Sequence, residues 1–222
     1  MTSTQHPKVV VLISGNGSNL QAIIDASQHH LPIEIAAVIS NRPGVYGLQR
    51  AASAAIETAV LDHQAFADRA SYDQALIELI DRYQPELVVL AGFMRILTTP
   101  FVRHYAGRLL NVHPSLLPKY TGLHTHKRAL EAGEQLHGVS VHFVTEELDG
   151  GPLIAQAQVA VLPEDDPQSL AARVLEKEHQ LYPLVVGWYA QKRLQLHETR
   201  AVILANEKLL QPVVYAPQDT IR

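Results

Sequence analysis

Asn111 and His113 stand two residues apart in the run L-L-N-V-H-P-S-L-L-P-K-Y, Leu109 to Tyr120. On an extended segment such residues face the same way. An asparagine N–H can donate to an oxygen that is gaining negative charge, and a protonated histidine can do the same and also pass a proton. Leu110 and Val112 then face the opposite way, into packing. Asp149 follows in L-D-G-G-P, where Gly150 and Gly151 free the backbone to carry a carboxylate close to another segment. A carboxylate beside histidine favours the imidazolium and fixes its orientation. The chain has no cysteine, and Ser115 lacks the G-x-S-x-G frame of an activated serine. The trio therefore points to direct transfer through a tetrahedral intermediate, without a covalent enzyme adduct. Taken singly, each residue has an ordinary alternative: Asn111 as a strand-end cap, His113 as a satisfied buried histidine, Asp149 as a turn residue.

A second candidate is S-G-N-G-S-N-L, Ser14 to Leu20. Gly15 and Gly17 let a backbone approach a ligand closely. Ser18 or Asn19 can cap the following helix, whose first N–H groups point outward and attract an anion. Leu20 stands where the dinucleotide fingerprint needs a third glycine, and the G-K-[ST] of a P-loop is absent. The loop suits one phosphate on a smaller ligand, or an ordinary capped turn. The 12 histidines include His124 and His126, with His137 and His142 further on. Their spacing is generic for zinc, so no metal is expected.

These residues need a scaffold. Lys8–Ile13, Ile33–Ile39, Thr58–Leu61, Leu87–Ala91 and Arg108–Val112 read as apolar strands. Between them Asn19–Gln28, Leu48–Ala55 and Ser71–Tyr83 read as helices, the last with Leu76, Ile77, Ile80 and Tyr83 at helical spacing and Pro85 after its end. Strands that are apolar throughout and alternate with helices indicate an α/β fold: a doubly wound, mostly parallel sheet with helices on both faces and a Rossmann-like N-terminal half. Ligands in such sheets sit beyond the carboxyl ends of the strands. Gly138–Thr145 and Leu153–Leu162 read as a β-hairpin. Thr125–Glu131 reads as the start of a helix and Pro167–Ala190 as a long helix, with Pro183 expected to kink or break it. Leu194–Glu198 reads as a last strand, and the tail beyond about residue 205 carries no pattern.

Composition narrows the class. Of 222 residues, 47% are hydrophobic and 18% charged, which is ordinary for a globular chain large enough to need no disulfide or metal staple. A net charge of −4 and no basic run argue against a nucleic-acid surface. The V-V-V-L-I run is too short to span a membrane and lacks a signal-peptide pattern. A cytoplasmic protein with no membrane partner is expected.

The motifs L-I-S-G-N-G-S-N-L-Q, A-G-F-M-R-I-L, N-V-H-P-S-L-L-P-K-Y and V-H-F-V-T-E-E-L-D-G-G-P occur in this order. Together they resemble the phosphoribosylglycinamide formyltransferases, a folate-dependent family, from about Lys8 to about Glu198. The resemblance implies a single formyltransferase domain over residues 8–200, with a phosphate-binding N-terminal half, a folate-binding and catalytic C-terminal half, and a C-terminal extension at 201–222. It implies transfer of a formyl group from 10-formyltetrahydrofolate, as co-substrate, to the amine of glycinamide ribonucleotide, with Asn111, His113 and Asp149 catalytic. It further implies that Gly17, Ser18, Asn19, Leu20 and Gln21 hold the phosphate side and Glu178 the ribose. Arg69, Met94, Arg95, Ile96 and Leu97 would line the folate site, with Asn111 and the stretch Thr145, Glu146, Glu147, Leu148 and Asp149. A monomer or homodimer is expected. Thr121 and Leu175 depart from the family pattern: proline usually precedes the glycine at the first, and some relatives are polar at the second. Rivals of the same fold, which formylate methionyl-tRNA or a sugar nucleotide, are longer chains. A formyltetrahydrofolate hydrolase, a non-catalytic binder and a histidine-based metal hydrolase are the other readings.

Overall fold

The computed structural model describes residues 6–197 and 202–221. The chain forms two compact units, Met1–Leu110 and Asn111–Arg222. The first holds β1 (Lys8–Ile13), α1 (Ser18–His29), β2 (Glu34–Ser40), α2 (Tyr46–Ser53), β3 (Thr58–Val60), α3 (Arg69–Asp81), β4 (Leu87–Leu90) and α4 (Thr99–His104). Its strands run in the order β4-β1-β2-β3, each parallel to its neighbour. The side chains of Val9 to Ile13 are inaccessible, so the continuous apolar run of β1 is buried on both faces. The chain winds outward from β1 to β3, then returns to the far side of β1 as β4. Right-handed crossovers put α1 and α2 on one face and α3 on the other. The reversal between β1 and β4 is a topological switch point, where such sheets bind ligands.

Helix α3 starts two residues before the expected Ser71, because Asp68 caps it by accepting the Ser71 N–H at 2.8 Å. Its buried face carries Leu76, Ile77 and Ile80, as the spacing anticipates, together with Tyr72; Tyr83, expected on the same face, lies past the helix end at Asp81 and is half-buried. Helix α4 lacked a readable signal at its six residues.

The unit boundary falls inside β5 (Leu109–His113). The second unit continues with α5 (Thr125–Glu131), β6 (Leu136–Phe143), β7 (Leu153–Ala160) and α6 (Pro167–Ala190). Four short strands follow: β8 (Leu194–Leu196), β9 (Val202–Leu204), β10 (Glu207–Lys208) and β11 (Val213–Tyr215). Strands β6 and β7 pair antiparallel as the expected hairpin, and β11 adds to β7 in parallel. The tail is therefore part of this unit's sheet, and Lys177 Nζ donates to the Pro217 and Asp219 carbonyls at 3.2 and 3.3 Å. Strands β8, β9 and β10 form a small antiparallel sheet. Glu198, placed at the end of a strand by its sequence, lies outside the described residues. The strands make the fold mostly parallel α/β with a C-terminal hairpin and long helix.

Of the expected kink or break at Pro183 the break does not occur: α6 runs through it to Ala190. Leu181, Tyr182, Pro183, Val185 and Val186 are all buried there. Burial of that face outweighs the cost of an interior proline, the lost hydrogen bond and the ring clash together, of order 3 kcal/mol. At its start α6 has a capping box between Asp166 and Ser169.

Candidate active site

In the first unit the glycine loop follows β1, at the switch point. A cap by Ser18 or Asn19 is not what forms. Gly17 is the N-cap of α1, with φ of 74°, and no side chain caps the helix. That left-handed backbone suits glycine. A Cβ on Gly17 would also lie 2.7 Å from the Cα of Gly47, at the start of α2. A helix start without a side-chain cap turns its first N–H groups outward, which is the arrangement that binds an anion. Arg50, on α2, holds the loop from behind through Asn16 and Gln21.

Ser14, at the end of β1, joins this loop to the residues after β4. Its hydroxyl donates to Asn41 Oδ1 at 2.6 Å and accepts the Met94 N–H at 2.8 Å. Met94 and Ile96 are 64% and 56% exposed, an apolar surface beside the switch point. Between them, the Arg95 guanidinium lies 4.7 Å from the centre of the Tyr72 ring, and its buried Nε has no hydrogen-bond partner among the described residues. Leu97 is half-buried. Arg69 is exposed in the first turn of α3.

In the second unit the structure brings Asn111, His113 and Asp149 together. His113 is only 6% exposed. Its Nε2 lies 2.8 Å from the Tyr120 carbonyl and its Nδ1 3.5 Å from Asp149 Oδ2. Both neighbours offer oxygens that can accept from a ring N–H. Asp149 has a left-handed backbone, φ 51°, and its Oδ2 accepts the Gly122 N–H at 2.8 Å. Gly151 is required by space, because a Cβ there would fall on the Phe143 carbonyl oxygen.

His142, on β6, completes the cluster and was not singled out from the sequence as a site residue. Its Nδ1 lies 2.9 Å from the Phe143 carbonyl, so Nδ1 carries the hydrogen and donates. Burial pushes its pKa below the ordinary histidine value. Nε2 of the neutral ring is therefore an acceptor, and Asn111 Nδ2 donates to it at 3.2 Å. This fixes which way the Asn111 amide points and leaves its second N–H for another acceptor. Asp149 Oδ1 is 4.0 Å from the same Nε2. V-H-F is a common strand pattern, so only the pairing of distant segments reveals this histidine.

The wall after His113 is held from β6 and β7. Ser140 Oγ donates to the Ser115 carbonyl and accepts from Leu117 N and Gln156 Nε2. His126 and His137 meet at 3.1 Å between their Nδ1 and Nε2 atoms. Among the described residues, no group of three or more His, Cys, Asp or Glu side chains is placed to hold a metal ion. Glu178, expected on the ribose, is 7% exposed on α6. Glu146, Glu147 and Leu148 are exposed, while the buried Thr145 Oγ1 has no hydrogen-bond partner among the described residues.

An α/β sheet with a glycine loop, and an Asn-His-Asp cluster in the other unit, define a class of transferase. Residues 7–186 match the family model described as formyl transferase, and the chain belongs to that family of enzymes. It is 55% identical to the phosphoribosylglycinamide formyltransferase of Escherichia coli (strain K12), over 95% of this chain and 99% of that one. The enzyme of the same name from Haemophilus influenzae is 48% identical, over 88% and 93% of the two chains. Among solved structures, the phosphoribosylglycinamide formyltransferase of Coxiella burnetii in complex with CHES superposes with a TM-score of 0.91 at 53% identity, covering 95% of this chain and 99% of that one. No described helix is long and apolar enough to cross a membrane.

Proposed function

We propose that the chain transfers the formyl group of 10-formyltetrahydrofolate to the amine of 5-phosphoribosylglycinamide, a step of purine biosynthesis. The observation that carries this reading is the convergence of Asn111, His113 and Asp149. The similarity to enzymes named for that reaction supports the choice of substrates.

The amine attacks the formyl carbon, a C–N bond forms, and the carbonyl oxygen becomes an oxyanion. The free N–H of Asn111 and an N–H of protonated His113 stabilise it. Asp149 orients His113 and sustains its charge. The bond from carbon to folate nitrogen then breaks, and a proton passes from the amine, by way of water, to that nitrogen. One condition follows from the geometry. His113 Nε2 already faces the Tyr120 carbonyl at 2.8 Å, so the oxyanion must take the place of that carbonyl as acceptor. Mobility of the 120–124 loop is thereby part of the reaction.

Gly17, Ser18, Asn19, Leu20 and Gln21 bind the phosphate end and Glu178 the ribose. Met94, Arg95, Ile96 and Leu97, with Arg69, line the folate site, and Thr145 to Asp149 read the pterin edge. The exposed Met94 and Ile96 and the unpartnered Arg95 Nε and Thr145 Oγ1 fit those roles. Residues 8–200 act as one formyltransferase domain with 201–222 as its extension. The enzyme works in the cytoplasm as a monomer or homodimer, with no nucleic-acid or membrane partner and no metal. A folate absorbance assay with and without glycinamide ribonucleotide tests the reading. Turnover only with the ribonucleotide supports it; turnover without it identifies a hydrolase; none in either case refutes the reaction.

A further inference from the structure

Arg50 lies on α2, outside every motif read from the sequence, yet three of its hydrogen bonds go to the glycine loop and the helix that follows. Nε donates to the Asn16 carbonyl at 2.9 Å, Nη2 to Asn16 Oδ1 at 2.9 Å, and Nη1 to Gln21 Oε1 at 3.1 Å. The guanidinium also sits 4.6 Å from the centre of the Tyr46 ring, which holds its plane. The backbone is seated by the same helix start: Gly47 N–H donates to the Gly15 carbonyl at 3.1 Å.

The consequence is geometric. In a trans peptide the carbonyl oxygen and the next N–H point in opposite directions. Capture of the Asn16 carbonyl by Arg50 therefore aims the Gly17 N–H away from the arginine. The same fork ties down Gln21, one helical turn beyond Gly17, and leaves Gln21 Nε2 donating to Asp25 Oδ1 at 2.8 Å. We propose that Arg50 is a positioning residue for the phosphate group of the acceptor substrate: it fixes the Asn16–Gly17 peptide and Gln21 so that the N–H groups at the start of α1 converge on the anion. This rests on the reading of the glycine loop as the phosphate site given above. The ligand is a phosphomonoester, and Arg50 acts through the loop. Its charge adds a field, but the fork supplies the aim. A lysine has no planar fork with which to hold both oxygens of Asn16.

The test is steady-state kinetics of the wild type, Arg50→Gln and Arg50→Lys, with inorganic phosphate as a competing probe. In Arg50→Gln, KM for glycinamide ribonucleotide and the inhibition constant of phosphate should both rise about tenfold or more, the scale of lost hydrogen bonds to a charged group. KM for the formyl-folate should hold, and kcat should change by no more than about twofold. Arg50→Lys should recover only a minor part of the loss. Three results would overturn the proposal: an unchanged ribonucleotide KM in Arg50→Gln, an equal rise in both KM values, or full recovery in Arg50→Lys, which would make charge alone sufficient. The two readings fail in different samples. If phosphate does not compete with the ribonucleotide in the wild type, the phosphate-loop reading falls and takes this proposal with it. If phosphate competes in the wild type and the variants match it, the role of Arg50 alone is wrong.

Discussion

Acid should destabilise this protein through the His126–His137 pair. His137 is 1% exposed, and burial, then the charge of His126, hold its pKa down at about 4. Burial also lowers that of His126. The ring of His137 bonds the Pro114 backbone, which has only a carbonyl to offer, so His137 donates there. Its Nε2 is then the acceptor for the His126 Nδ1 hydrogen at 3.1 Å. Glu134 and His113 act on the same ring, the first raising its pKa and the second lowering it. A histidine whose folded pKa lies below its unfolded value leaves the unfolded chain binding more protons between the two. Its contribution is fully present above about pH 6.5 and is lost as the pH falls towards about 4. Taking 6.5 and about 4 as the two values, the loss between pH 7.5 and 4.5 is on the order of 2–3 kcal/mol. That is a large part of a typical 5–15 kcal/mol stability. The assay is urea unfolding of the wild type and His137→Asn at both pH values. Wild-type stability should fall by roughly 2–3 kcal/mol more than that of the variant, whose residue 137 does not titrate. Parallel losses in the two proteins would refute the reasoning.

Further outcomes follow from the sites. Asn111→Ala, His113→Ala and Asp149→Ala should each lower kcat by about 100-fold or more, as loss of an oxyanion donor or its orienting partner does; near-wild-type turnover in all three would refute the catalytic assignment. His142→Phe removes the acceptor that sets the Asn111 amide, and kcat should drop about tenfold with little change in either KM. An Asn111 that works without this partner would leave the rate intact. Gly17→Ala forces a Cβ into a left-handed backbone, at about 1–2 kcal/mol, and against the Gly47 Cα. It should raise the ribonucleotide KM about tenfold, with the formyl-folate KM as internal control.

Much of the scaffold was legible. The runs of β1 and β4 are apolar without alternation because those strands are buried on both faces, and α3 shows its buried face at helical spacing. Asn111 and His113 were legible because polar residues interrupt such a run at its end. Errors arose where a local rule met a tertiary contact. A serine after a glycine predicts a side-chain cap, but Gly17 occupies that position because α2 packs against it. Proline predicts a break, but Pro183 lies on a buried helix face. Strand β11 is only three residues long, too short to show a period, and exists by pairing with β7.

By itself the sequence determined the kinds of chemistry available: an amide, an imidazole and a carboxylate without a thiol, a glycine loop suited to one phosphate, and the alternation of elements that makes an α/β sheet. These depend on residue type and short spacing, which local sterics and periodicity translate directly. Only the tertiary structure decided which of the 12 histidines serves Asn111, which pair is buried at His126 and His137, and that Arg50 reaches the glycine loop. Those contacts join residues 11 to 34 positions apart. Their geometry is set by strand register and helix packing, and a one-residue slip in β6 would turn His142 to the opposite face.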